Sequence, residues 1–123
     1  NHDVIILPEA QYFQETQDYI VTLLHELVHW TGTSERLNRK CFYDYAIRNA
    51  RAEEELVAEI GSVFLASYFG VGGKLINHAS YVAAWQKDLA PQAITRAISQ
   101  AAKAFNWLVS QIDFSKDEFN ISN

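Results

Sequence analysis

Leu23-Leu24-His25-Glu26-Leu27-Val28-His29-Trp30-Thr31-Gly32 is the stretch from which the rest of the chain is understood. From about Glu15 onward, Ile20, Leu23, Leu24, Leu27 and Val28 recur at the i, i+3, i+4, i+7 spacing of an amphipathic helix, and Gly32 suits its C-terminal cap. At about 100° per residue, positions four apart lie only about 40° apart around the axis. The rings of His25 and His29 therefore leave the helix toward one spot. Two neutral imidazoles one turn apart can share a single tetrahedral zinc ion. Glu26 projects from the flank of the same face, where it can reach a metal-activated water without being a ligand. The apolar residues cover the opposite side, so one face is made for a core and the other for a polar cleft.

A metal site needs a third ligand, and a second helix from about Arg51 to Phe69 offers one. In Glu53-Glu54-Glu55-Leu56-Val57-Ala58-Glu59, Glu55 and Glu59 share a face. Ala58, Ser62 and Ala66 lie beside that pair and are small enough for two helices to approach closely. Glu55 is favoured as the ligand and Glu59 as the acceptor for the free N–H of a ligand imidazole, with an exchange of the two roles left open. Glu53 and Glu54 are expected to be a solvated acidic helix start.

The remaining segments supply a frame. Val4-Ile5-Ile6-Leu7, stopped by Pro8, has the β-branched composition of a strand. Residues 33–44 are polar and irregular, as in a loop or a short helical turn, and Gly70-Val71-Gly72-Gly73 forms a flexible connector. Asn77 suits the N-cap of a third helix reaching about Leu89. On it His78, Tyr81 and Trp85 share a face; Tyr81 or His78 could donate to an oxyanion, with packing as the competing role. Pro91 opens a fourth helix whose Ile94, Ile98, Ala101, Phe105, Leu108 and Ile112 form a core-facing stripe. The expected fold is α+β and mainly helical, with about four helices and a short N-terminal strand or small sheet beside the motif helix. Residues 1–112 are expected to form the domain and residues 113–123 a fraying polar tail.

Composition narrows the functional classes. At 123 residues, 49% of them hydrophobic, the chain fits one domain with its own core. A net charge of −5 argues against a domain that mainly grips a nucleic-acid backbone. The cluster Arg36, Arg39 and Lys40, followed by Arg48 and Arg51, is expected to be a solvated loop. Cys41 is the single cysteine, so it has no internal disulfide partner and is expected to be a small buried or half-buried residue rather than a nucleophile. No segment has the roughly 18 consecutive apolar residues of a membrane span. The chain starts at Asn1 and contains no methionine, as expected of a domain taken from a longer protein.

The motif helix, together with Arg36-Leu37-Asn38-Arg39, Glu54-Glu55-Leu56-Val57-Ala58-Glu59-Ile60-Gly61, and His78-Ala79-Ser80-Tyr81 with Trp85, resembles the zincin-like metallopeptidase domain of ArdC-type antirestriction proteins and TraC-type plasmid primases. The resemblance implies a zincin fold with a small sheet, a cytoplasmic protein of a mobile element, and an upstream domain that binds single-stranded DNA. Its Glu-x-x-Ala-Glu pattern favours Glu55 over Glu59 as the zinc ligand. The function expected is zinc-dependent hydrolysis of a protein or peptide, with restriction-system proteins as possible partners. A metal-stabilised binding module that protects DNA without hydrolysis is the alternative.

Overall fold

The computed structural model describes residues 3–7, 9, 16–71 and 82–121. Four helices carry the architecture: α1 (Thr16–Trp30), the single-turn α2 (Lys40–Tyr43), α3 (Arg48–Phe69) and α4 (Pro91–Ile121). Residues 82–86 are also helical. The central element is α3, which packs against α1, α2 and α4. Its 22 residues end at Gly70 in the left-handed conformation (φ +70°), whose N–H returns to the carbonyls of Ala66 and Ser67. That conformation carries a steric cost for any residue with a Cβ.

Leu24 and Val28 of α1, Leu56, Val57, Leu65 and Ala66 of α3, and Ala97, Ala101, Ala104 and Leu108 of α4 form the core. Gly61 marks a close approach between α1 and α3. A Cβ at Gly61 would lie 2.9 and 3.0 Å from the two methyl carbons of Val28, which is itself fully buried and cannot retreat. Glycine at position 61 thus brings the carboxylates of α3 close to the histidines of α1. Gly61→Ala is expected to cost about 1–3 kcal/mol in overpacking, more than the roughly 1 kcal/mol that alanine gains in helix propensity. Urea unfolding would show a lowered midpoint; a raised one would mean that the helix contact yields freely.

Two expectations need correction. No strand or sheet occurs among the described residues, so over that range the chain is helical rather than α+β. Val4 and Ile6 are 62% and 83% exposed, while Ile5 and Leu7 are half-buried. The alternation suits a strand, but a ladder needs a partner, and no backbone hydrogen bond joins residues 4–7 to another described segment. On α4 the buried stripe is Ala97, Ala101, Ala104 and Leu108, whereas Ile98 is 47% exposed. Small residues face α3 and let the two axes come close, which turns the bulky Ile98 outward. The same helix runs on to Ile121, since no glycine or proline between 113 and 121 stops it. Cys41 is buried as expected, and burial, then the neighbouring Glu54, push its thiol well above the usual range. Among the described residues no helix is long and apolar enough to cross a membrane.

Candidate metal centre

His25 and His29 sit in the last two turns of α1 with their Nε2 atoms 3.1 Å apart. Glu55 of α3 faces both: its Oε2 is 3.3 Å from His25 Nε2 and its Oε1 is 3.4 Å from His29 Nε2. Each imidazole turns its other nitrogen toward a second carboxylate. His25 Nδ1 is 3.0 Å from Glu59 Oε1, and His29 Nδ1 is 2.7 Å from Glu54 Oε2. An ionised carboxylate only accepts hydrogen bonds, so Nδ1–H donates outward and the Nε2 lone pair faces inward.

This donor set suits a small divalent cation. Donors spread tetrahedrally around zinc at about 2.0–2.1 Å lie roughly 3.3 Å from one another; here the two Nε2 atoms are 3.1 Å apart, and each has one of the two Glu55 oxygens at 3.3 or 3.4 Å. His25, His29 and Glu55 are accordingly a group whose ligand atoms all fall within 4.8 Å. Two inward lone pairs at such range repel unless a positive charge lies between them. Protons are one source of that charge. Burial lowers both imidazole pKa values, but hydrogen bonds with Glu55 and Glu59 outweigh it and raise His25 to about 9. Those with Glu54 and Glu55 raise His29 to about 8. A metal ion is the other source. Glu55 stays ionised well below the usual carboxylate range: burial opposes this, but bonds from His25, His29 and Tyr45 prevail.

Glu26 opens onto the same side as the three donors. It lines a cleft of about 410 Å³ together with His29, Phe42, Tyr45 and Glu55. Sequence reasoning missed Tyr45, whose hydroxyl donates to Glu55 Oε1. Its ring stands edge-on to His29 with centroids 6.3 Å apart. Tyr45 lies in an irregular stretch without periodicity, so only the fold shows that it reaches the cleft. His78 and Tyr81 lie outside the described residues. A second cleft, of about 470 Å³, lies beside α2 and α4, but Arg96 there is already held by Glu53 at 2.5 and 2.9 Å. It has no converging donors of the kind found around His25.

The expected solvated acidic start of α3 is buried instead. Glu54 is fully enclosed, Glu53 is buried and paired with Arg96, and Arg39, assigned above to a solvated loop, is only 2% exposed. A run of like charges normally seeks water, but here each acid has a cation delivered by another element: Arg39 to Glu54 and Arg96 to Glu53. Long-range pairing of this kind leaves no local pattern in sequence.

A family model described as a zincin-like metallopeptidase matches residues 1–104. The chain is 37% identical over 110 residues to a DNA primase TraC of Escherichia coli and 38% identical over 110 residues to another. It is 30% identical over 112 residues to the uncharacterized protein y4eC of Sinorhizobium fredii. These alignments cover 88%, 88% and 89% of this chain, but only 8%, 10% and 36% of the respective relatives. The chain thus spans about a tenth or less of the TraC primases. No solved structure matches it.

Proposed function

The chain belongs to the zincin-like metallopeptidase family, and on that premise we propose that it hydrolyses peptide bonds with a zinc ion held by His25, His29 and Glu55. The observation that carries this is the convergence of two Nε2 atoms 3.1 Å apart with a carboxylate 3.3 and 3.4 Å from them. Zinc in such a set supplies Lewis acidity, drawing the pKa of a water toward about 7 and polarising a carbonyl.

The chain's own residues supply the proton transfers and the binding surface. Glu26 takes a proton from the water as its oxygen forms a bond to the scissile carbon, and returns it to the amine as the carbon–nitrogen bond breaks. Phe42 and Tyr45 give the cleft beside Glu26 an aromatic wall suited to an apolar side chain of the substrate. Tyr45 carries the one hydroxyl among the lining residues; its proton goes to Glu55 here, and it would have to leave that carboxylate to meet a developing oxyanion. The substrate is a polypeptide, with restriction-system proteins as one candidate class. In a longer protein of the TraC kind, single-stranded DNA would be handled outside this segment, whose net charge is −5.

Purified protein is expected to carry one zinc per chain and to cleave a denatured protein or peptide-library substrate. Chelation should abolish the cleavage and zinc should restore it. Absence of stoichiometric zinc, or cleavage indifferent to chelation, would overturn the proposal.

A further inference from the structure

We propose that Arg39 and Glu54 form a positioning pair that fixes the ring of His29 for metal binding, an inference that rests on the metal-centre reading above. Glu54 has no contact with water, and its two oxygens are fully used. Oε2 accepts from His29 Nδ1 at 2.7 Å and from Arg39 Nη2 at 2.8 Å. Oε1 accepts from Arg39 Nε at 2.7 Å and from the Cys41 thiol at 3.1 Å. A carboxylate this deep stays charged only with a paired cation and filled lone pairs. Arg39 provides both, because its planar fork spans the two oxygens where a lysine would reach one point.

The turn after α1 exists in a form that delivers this guanidinium. Leu37 N–H donates to Thr31 O at 2.9 Å and Arg39 N–H to Gly32 O at 2.9 Å, so the chain doubles back on the motif helix. Asn38 takes a positive φ of 49° at the reversal. Gly32 leaves room that a Cβ would fill, 2.8 Å from Phe42 and 2.9 Å from Arg39 Nη2. The guanidinium is then anchored from behind, donating to Thr31 Oγ1 at 3.0 Å and to Val28 O at 2.9 Å. Val28 directly precedes His29. One rigid unit thus joins the backbone of the motif helix, the guanidinium, the carboxylate and the imidazole. With Nδ1–H committed to Glu54, His29 has one ring orientation and one tautomer, and both present Nε2 to the centre.

A purely structural ion pair would affect folding alone; a positioning pair must also set metal affinity. Glu54→Gln is nearly isosteric and is expected to weaken zinc binding by about 10–100-fold in chelator competition. Arg39→Lys should give a smaller loss in the same direction. Glu53→Gln, which removes a carboxylate bound to Arg96 rather than to a histidine, should leave zinc affinity unchanged. In the zinc-loaded wild-type chain, isotope-labelled histidine NMR should show the His29 proton on Nδ1, with slow exchange against solvent. Folded Glu54→Gln protein with wild-type affinity overturns the inference, and so does a His29 proton on Nε2. If Glu54→Gln does not fold, the wild-type spectrum decides. Wild-type protein that takes up no zinc overturns the hydrolase proposal along with this one, whereas equal zinc affinity of wild type and Glu54→Gln overturns the positioning role alone.

Discussion

Glu26→Gln is expected to leave zinc content and thermal stability at wild-type levels while reducing peptide hydrolysis by about 10²–10⁴-fold, the usual contribution of a general base. The amide keeps the shape of the carboxylate but cannot accept the proton from water. Its effect should be confined to turnover, because Glu26 is not among the donors that converge on the metal centre but does line the cleft in front of them. Glu26 is half-buried on α1, so an isosteric change there leaves no buried charge unpaired. Measuring bound zinc and cleavage rate on the same preparation separates the two roles. A variant that retains zinc and still cleaves at the wild-type rate would remove Glu26 from the mechanism. The same substitution bears on the non-hydrolytic alternative. If the longer protein protects DNA from restriction equally well with Gln at position 26, protection does not depend on hydrolysis.

What could be seen in the sequence follows from how far apart the interacting residues lie. The histidine pair sits within one turn, so helical periodicity alone places His25 and His29 on one face of α1, with Leu24 and Val28 in the core behind them. The pairing of Glu55 with Glu59 on α3 is legible for the same reason. Glu54 is only one position away, yet its role could not be read, because that role depends on Arg39 arriving from a turn with no periodic signal. Tyr45 escaped notice likewise. The expected strand at Val4–Leu7 shows the opposite error: composition describes what a segment is fit for, but a ladder requires a neighbour. The Ile98 stripe failed for a packing reason, since hydrophobic spacing finds a helix face without saying whether large or small residues occupy its centre.

Glu55→Ala should be more damaging to zinc binding than Glu59→Ala. Spreading the roughly 10–16 kcal/mol of a four-ligand zinc site evenly gives about 2.5–4 kcal/mol per ligand, or about 70- to 900-fold in affinity. Loss of an outer carboxylate is expected to cost about 10–100-fold. The geometry assigns the larger loss to Glu55, which lies 3.3 and 3.4 Å from the two Nε2 atoms. Glu59 meets His25 at Nδ1, 3.0 Å away, on the far side of a ring whose Nε2 faces His29. It cannot join the same cluster of inward donors unless that ring turns over. If zinc titration shows Glu59→Ala to be the more harmful change, His25 must present Nδ1 to the metal. In that event Glu59 becomes the third ligand, and Glu55 serves as the carboxylate that orients the imidazole.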